Sequence, residues 1–219
     1  MDIPPGLFPA LSHELRNPLS SVKMAVQTLA RNPDLSDRDR RRLSIAHREV
    51  RTLERLLWLV SEAGRDSEPH LEDVPFAMVL EEAVAHIQPE LEELGATLQP
   101  EPAAPDAVVC IDRSRTRGVL APLLLSVART AGPGTLAVPS GASSDGRWRL
   151  QLDDPRAVLE EGALRNAFVP FAFGPTRTTG LLLPALQTVM KAQGGDVEVL
   201  APPSGGVRYA LTFCQPGLG

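Results

Sequence analysis

Aromatic side chains are scarce in this sequence, at 4% of residues against 43% hydrophobic overall. The core must therefore be built from Leu, Val and Ala rather than from rings. Cysteine is almost absent too: only Cys110 and Cys214 occur, far apart and without a CxxC spacing. That excludes a disulfide framework and a thiolate zinc site, and predicts reduced thiols, with Cys110 in the core as part of the apolar run Ala107-Val108-Val109-Cys110-Ile111. No apolar stretch reaches the roughly 20 residues of a membrane span, and the start lacks a basic-then-apolar leader. We therefore expect a soluble, cytoplasmic protein whose input comes from a partner. An excess of positive charge is also missing, the net charge being -5, which argues against nucleic acid as a partner. The basic run Arg38, Arg40, Arg41 and Arg42 is interrupted by Asp37 and Asp39 and reads as a solvated helix start. His47, His70 and His86 show no metal-ligand spacing, so no metal site is expected.

What is present divides the 219 residues into two expected domains, 1–66 and 70–219. Pro4-Pro5-Gly6 predicts a helix start near Leu7. From Leu11 to about Ala63 two amphipathic helices are predicted. Leu15, Leu19, Val22, Val26 and Leu29 recur at spacings of four and three, and Leu43, Ala46, Val50, Leu53, Leu57 and Val60 continue the pattern. Asn32-Pro33 ends the first helix, since proline disfavours a helical residue before it. Ser36 with Asp39 then forms a capping-box start for the second. So short a connection makes the helices antiparallel neighbours. Two helices cannot bury a two-sided apolar stripe, which predicts a homodimer closing a four-helix bundle. Gly64 to Pro69 reads as a linker. Beyond it the pattern is mixed: helices at 76–94, with Pro89 at a kink or boundary, 115–131 and 181–193, and strands at 96–100, 107–111, 134–139, 147–153, 196–201 and 206–213. The predicted class is α+β, an N-terminal helical hairpin followed by an α/β sandwich with helices on one face of a mixed sheet.

The chemistry-bearing segment is Ser12-His13-Glu14-Leu15-Arg16-Asn17-Pro18-Leu19. Position 13 lies about 200° around a helix from both Leu11 and Leu15, so its imidazole is expected to face water. Asn17 stands one turn on from His13. Pro18 cannot donate to the carbonyl of Glu14 and loosens the helix there. A neutral imidazole nitrogen can attack phosphorus, and an adjacent carboxylate such as Glu14 can hold the tautomer and take the proton. Asn17 is placed to orient a phosphoryl oxygen or an attacking water.

This octet resembles the H-box of two-component sensor histidine kinases at nearly every position, and the helical pair resembles that family's dimerisation and phosphotransfer domain. The remaining chain is similar, in element order, to the family's ATP-binding domain, with most nucleotide contacts replaced. After Cys110-Ile111-Asp112, Arg115, Val119 and Leu120, the resemblance puts Pro122 and Ser126 where the N-box carries asparagines that hold Mg²⁺ and phosphate, and Arg129 where a lysine is usual. Serine can offer an oxygen to a hard cation and proline cannot. Pro122 inside a helix would also cost roughly 3 kcal/mol, unless the helix starts or bends there. Asp153 matches the adenine-binding aspartate of the first glycine box, where Pro155 and Ala157 replace glycines. Phe168-Val169-Pro170-Phe171 resembles the phenylalanine box. Gly180 survives in the second glycine box, where Thr178 and Leu182 replace two others and a leucine would crowd the phosphates. Ser126, Arg129, Asp153 and Gly180 thus form a vestigial nucleotide site; Asp153 and Gly180 are alternatively turn residues.

The resemblance implies a phosphorelay histidine phosphotransferase. Its catalytic residues are His13, Glu14 and Asn17, with a helix kink at Pro18, and its partners are a receiver domain, an upstream kinase and a second copy of the chain. It would need no cofactor of its own. One alternative is a soluble histidine kinase using ATP and Mg²⁺ at a divergent site, with phosphatase activity towards the receiver. Another is a non-catalytic dimeric adaptor. Trp58, beside the seam residue Leu57, is expected to serve bundle packing.

Overall fold

The structure, a computed structural model, describes residues 7–65, 67–101, 108–138, 141–157, 162–172 and 177–217. The chain divides into two compact units, Met1–Asp66 and Ser67–Gly219, and each is described by itself.

The first unit is a helical hairpin of α1, Leu7–Ala30, and α2, Asp37–Ala63. Its turn is closed by side chains. Asn32 accepts from the amide of Asp34 at 3.0 Å, and Arg40 donates to the carbonyls of Pro33 and Leu35 at 2.7 and 3.3 Å. Ser36 caps α2 as its spacing predicts: its Oγ accepts the Asp39 amide at 3.2 Å and donates to the Asp39 carboxylate at 2.6 Å. Lys23 bridges to both oxygens of Glu54 at 3.0 and 2.9 Å, and Gln27 meets His47 at 3.4 Å, fixing the antiparallel register. Leu19 and Val26 are half-buried and Val50 is buried, whereas Leu15, Val22 and Leu29, spaced by seven, stay about half exposed.

The second unit runs β1 (Glu72–Pro75), α3 (Phe76–Leu94), β2 (Ala96–Pro100), β3 (Val108–Ile111), α4 (Arg113–Ala131), β4 (Gly134–Val138), β5 (Ala142–Ser144), β6 (Arg147–Asp154), a 3-10 turn at Ala163–Asn166, α5 (Arg177–Ala192), β7 (Asp196–Leu200) and β8 (Val207–Cys214). β1 pairs antiparallel with β3, and β2 runs parallel to β4; β5, β6, β8 and β7 follow in that order, all antiparallel. Strict alternation in β6 sends Trp148, Leu150, Leu152 and Asp154 inward, while Arg147, Gln151 and Asp153 stay exposed. Trp148, Phe76 and Phe213 gather at one point of the core, three of the nine Phe, Trp and Tyr rings in the sequence. Most of the rest is aliphatic, with Leu120, Leu123, Leu124 and Leu125 of α4 and Leu182, Leu183 and Leu186 of α5 buried.

Most expected elements are present; β1 and β5 are additional, and three residues bear on particular expectations. α4 runs through Pro122, which is buried inside the helix and does not mark its start. Burial of its leucine neighbours, at about 2 kcal/mol each, outweighs the roughly 3 kcal/mol cost of the missing bond. Pro89 likewise sits within α3. Cys110 is half-buried rather than core, because the alternation of β3 turns Val109 and Ile111 inward in its place. Both cysteines are free thiols. Among the described residues no helix is long and apolar enough to cross a membrane.

Candidate functional site

Position 13 lies in the second turn of α1; the side chain of His13 falls outside the described residues. Around it the helix is polar and open. Glu14, Arg16, Asn17 and Pro18 are exposed, while Ser12, one residue before the histidine, is 1% exposed and marks the inner face. Pro18 lies within α1, so the carbonyl of Glu14 has no amide four residues on. Positions 13, 17, 20 and 24 recur at four, three and four, so they share one helical face. That face carries Asn17, Ser20 and Met24, the last 69% exposed. The half-exposed stripe Leu15, Val22 and Leu29 lies on the opposite flank. One helix therefore offers two separate surfaces, one polar around position 13 and one apolar.

The sequence-derived nucleotide residues of the second unit lie on α4, β6 and α5. Asp153 points outward from β6, and Arg208 of β8 grips it bidentately at 2.6 and 2.7 Å. That guanidinium holds the Asp153 carboxyl below its usual range. Gly180 is buried in the first turn of α5, its carbonyl accepting the Phe171 amide at 2.8 Å. Asp153 belongs to a strand and Gly180 to a helix, so neither is a turn residue. Ser126 is half-buried on α4 and its carbonyl takes the Thr130 hydroxyl at 3.1 Å; Arg129 is exposed.

The inward carboxylate of β6 is Asp154, the neighbour of the residue that the resemblance singles out. It is 2% exposed. Its Oδ1 accepts the Ala157 amide at 3.1 Å. Burial raises its pKa; hydrogen bonds from the Thr130 side chain and the backbone at Arg156 and Ala157 oppose that shift only in part. Tyr209 lies in the same interior, its hydroxyl pushed far up by burial and then by the Asp154 charge. Period-two alternation from Trp148 was the signal available in sequence, since it makes 154, not 153, the inward position.

A nucleotide fits these residues in one respect only. Asp154 is a desolvated acceptor of the kind that reads an amino group. The metal side fits less well, because Pro122 offers no ligand where the resemblance puts one. Leu182, where the resemblance requires backbone access, is fully buried and occupies interior space.

Comparison with known proteins agrees with the geometry of the hairpin. Residues 6–58 match the His Kinase A (phospho-acceptor) domain. The chain is 23% identical over 214 residues to the signal transduction histidine-protein kinase AtoS of Escherichia coli K12, a match covering 94% of this chain and 34% of AtoS. Among solved structures, full-length ShkA in complex with AMPPNP superposes with a TM-score of 0.68 at 21% identity, covering 97% of this chain and 47% of that one. Histidine kinase ThkA in complex with the response regulator TrrA gives 0.64 at 16% identity, covering 94% of this chain and 60% of that one. The chain thus spans about a third of AtoS and less than half of ShkA. With a phospho-acceptor match over the hairpin and a kinase-like α/β fold beyond it, this chain is similar to two-component histidine kinases across both units.

Proposed function

We propose that this chain is the transmitter portion of a two-component histidine kinase, in which His13 takes up a phosphoryl group and passes it to a response-regulator aspartate. Residues 1–66 serve dimerisation and phosphotransfer, and residues from 70 onward form the kinase-like partner domain. The observation that carries the reading is the extent of the likeness. It does not stop at the phospho-acceptor hairpin but covers 94% of the chain against AtoS, a histidine kinase. ATP is the phosphoryl source that likeness favours, and the AMPPNP bound to ShkA points the same way for that relative.

In the transfer step a neutral ring nitrogen of His13 attacks phosphorus. An N–P bond forms, the bond to the donor oxygen breaks, and Glu14 takes the ring proton. The receiver carboxylate later attacks the same phosphorus and histidine leaves. The receiver docks on the face shared by positions 13, 17, 20 and 24, where Met24 is the exposed apolar contact. A second copy covers Leu15, Val22 and Leu29, whose sevenfold spacing is that of a bundle seam.

A relay phosphotransferase without ATP is the second reading. Buried Pro122 and Leu182, standing where the family would meet metal and phosphate, favour it. Incubation with labelled ATP and Mg²⁺ separates the two. Acid-labile label on wild type and not on His13→Ala supports the kinase. Label that reaches His13 only from a phosphorylated receiver supports the relay. Failure of both donors refutes phosphotransfer.

A further inference from the structure

The segment by which the chain enters the second unit, Ser67 to His70, is held by side chains rather than by secondary structure. The backbone amide of His70 donates to Asp112 Oδ2 at 3.1 Å, and Arg115 Nη1 donates to the carbonyl of Ser67 at 3.2 Å. Arg115 is only 5% exposed, an unusual place for a guanidinium unless its position is fixed. Asp112 has further tasks: its Oδ1 caps α4 by accepting the Arg115 amide at 3.0 Å, and its own amide donates to Gln193 Oε1 at 3.0 Å. Gln193, just past the end of α5, is 4% exposed and shares hydrogen bonds at 3.2 Å with Thr116 of α4, itself 1% exposed. One polar network, exposed at His70 and buried at Thr116 and Gln193, thus joins the entry segment, the start of α4 and the end of α5.

We propose that Asp112 and Arg115 form a latch through which displacement of the Ser67–His70 segment is transmitted to α4 and α5, the helices that carry the candidate nucleotide residues. Exposed Ser67 and His70 have little apolar surface to hold them, so the polar bonds are the attachment. Releasing either bond strands a charged group, Asp112 or buried Arg115, without one of its partners, so the network moves as a unit rather than bond by bond. Asp112 and Arg115 are positioning residues, and the inference stands whether or not His13 is loaded from ATP.

Amide hydrogen exchange on the full chain tests the latch. His70→Pro deletes the backbone N–H that donates to Asp112 Oδ2, and Arg115→Met removes the guanidinium that donates to the Ser67 carbonyl while keeping an aliphatic stem. For each variant we expect about tenfold faster exchange, the loss of one charged hydrogen bond, at residues 67–71 and also at 112–118 and 192–195, with the core of β6 and β8 unchanged. Faster exchange confined to 67–71 reduces the contact to a local tether and overturns the proposal, as does no change anywhere. Should either substitution unfold the unit, Asp112→Asn, which keeps the shape and the cap acceptor but loses the charge, decides by the same pattern.

Discussion

The two units of this chain treat their polar chemistry in opposite ways. The hairpin keeps Glu14, Arg16 and Asn17 in water around position 13, beside an internal proline that removes one helical N–H donor. The second unit folds its counterpart positions inward: Pro122 and Leu182 are buried, Asp154 is desolvated, and Asp153 is drawn into an outer-face ion pair with Arg208. A reactive group needs exposure and freedom, whereas a packed interior rewards volume and penalises empty clefts. The contrast shows one chain holding an open polar helix face in one unit and a densely packed interior in the other.

The comparison breaks most completely at the acceptor. His13→Gln should reduce phosphoryl uptake to background with the fold intact, read by label incorporation beside circular dichroism. The seam comes next. Val22→Asp, placing a charge in the stripe at 15, 22 and 29, should weaken self-association by about a hundredfold or more, measured by analytical ultracentrifugation.

In the second unit, Leu182→Ala should lower stability by about 3 kcal/mol, because a fully buried leucine leaves both lost contacts and a cavity. Denaturant titration reads that loss. A parallel nucleotide titration sharpens the comparison by asking whether the vacated space admits ATP. Ser36→Ala should remove about 1 kcal/mol from the hairpin through the lost α2 cap.

The smallest effects are in pH dependence, and their signs differ. Asp154, with a raised folded pKa, adds stability that is full below the ordinary carboxylate value and fades as pH rises through the folded value. Asp154→Asn should flatten that limb. Asp153, with a lowered pKa, adds stability above the ordinary value that is lost as pH falls through the folded one, so Asp153→Asn should flatten the acid limb. Solvent screening of a half-exposed pair keeps the second effect small. Thermal melts across pH 2 to 7 separate the two.

Much of this was legible in sequence where a period or a cap is unambiguous. Strand β2 at Ala96–Pro100 and helix α2 from its Ser36 cap fall at the expected residues. β1 escaped notice because Glu72-Asp73-Val74-Pro75 carries one apolar inward residue and ends on proline, and its pairing with β3 is a long-range fact. β5 is three residues long. The inward aspartate was missed for a different reason: motif matching aligned Asp153 by its neighbours, while the pleat of β6 decides which of two adjacent carboxylates enters the core. Burial on one face, and not residue identity, settled that position. The latch at Asp112 and Arg115 joins residues from Ser67 to Gln193, a span that no local pattern can display.

The most direct test of the account is phosphorus NMR of the full chain after exposure to ATP with Mg²⁺ and, separately, to a phosphorylated receiver. The account predicts a phosphoramidate resonance that vanishes on acidification, maps to the α1 peptide, and is missing from His13→Gln. A chain that yields no phosphoramidate from either donor, or one whose signal persists in that variant, contradicts it.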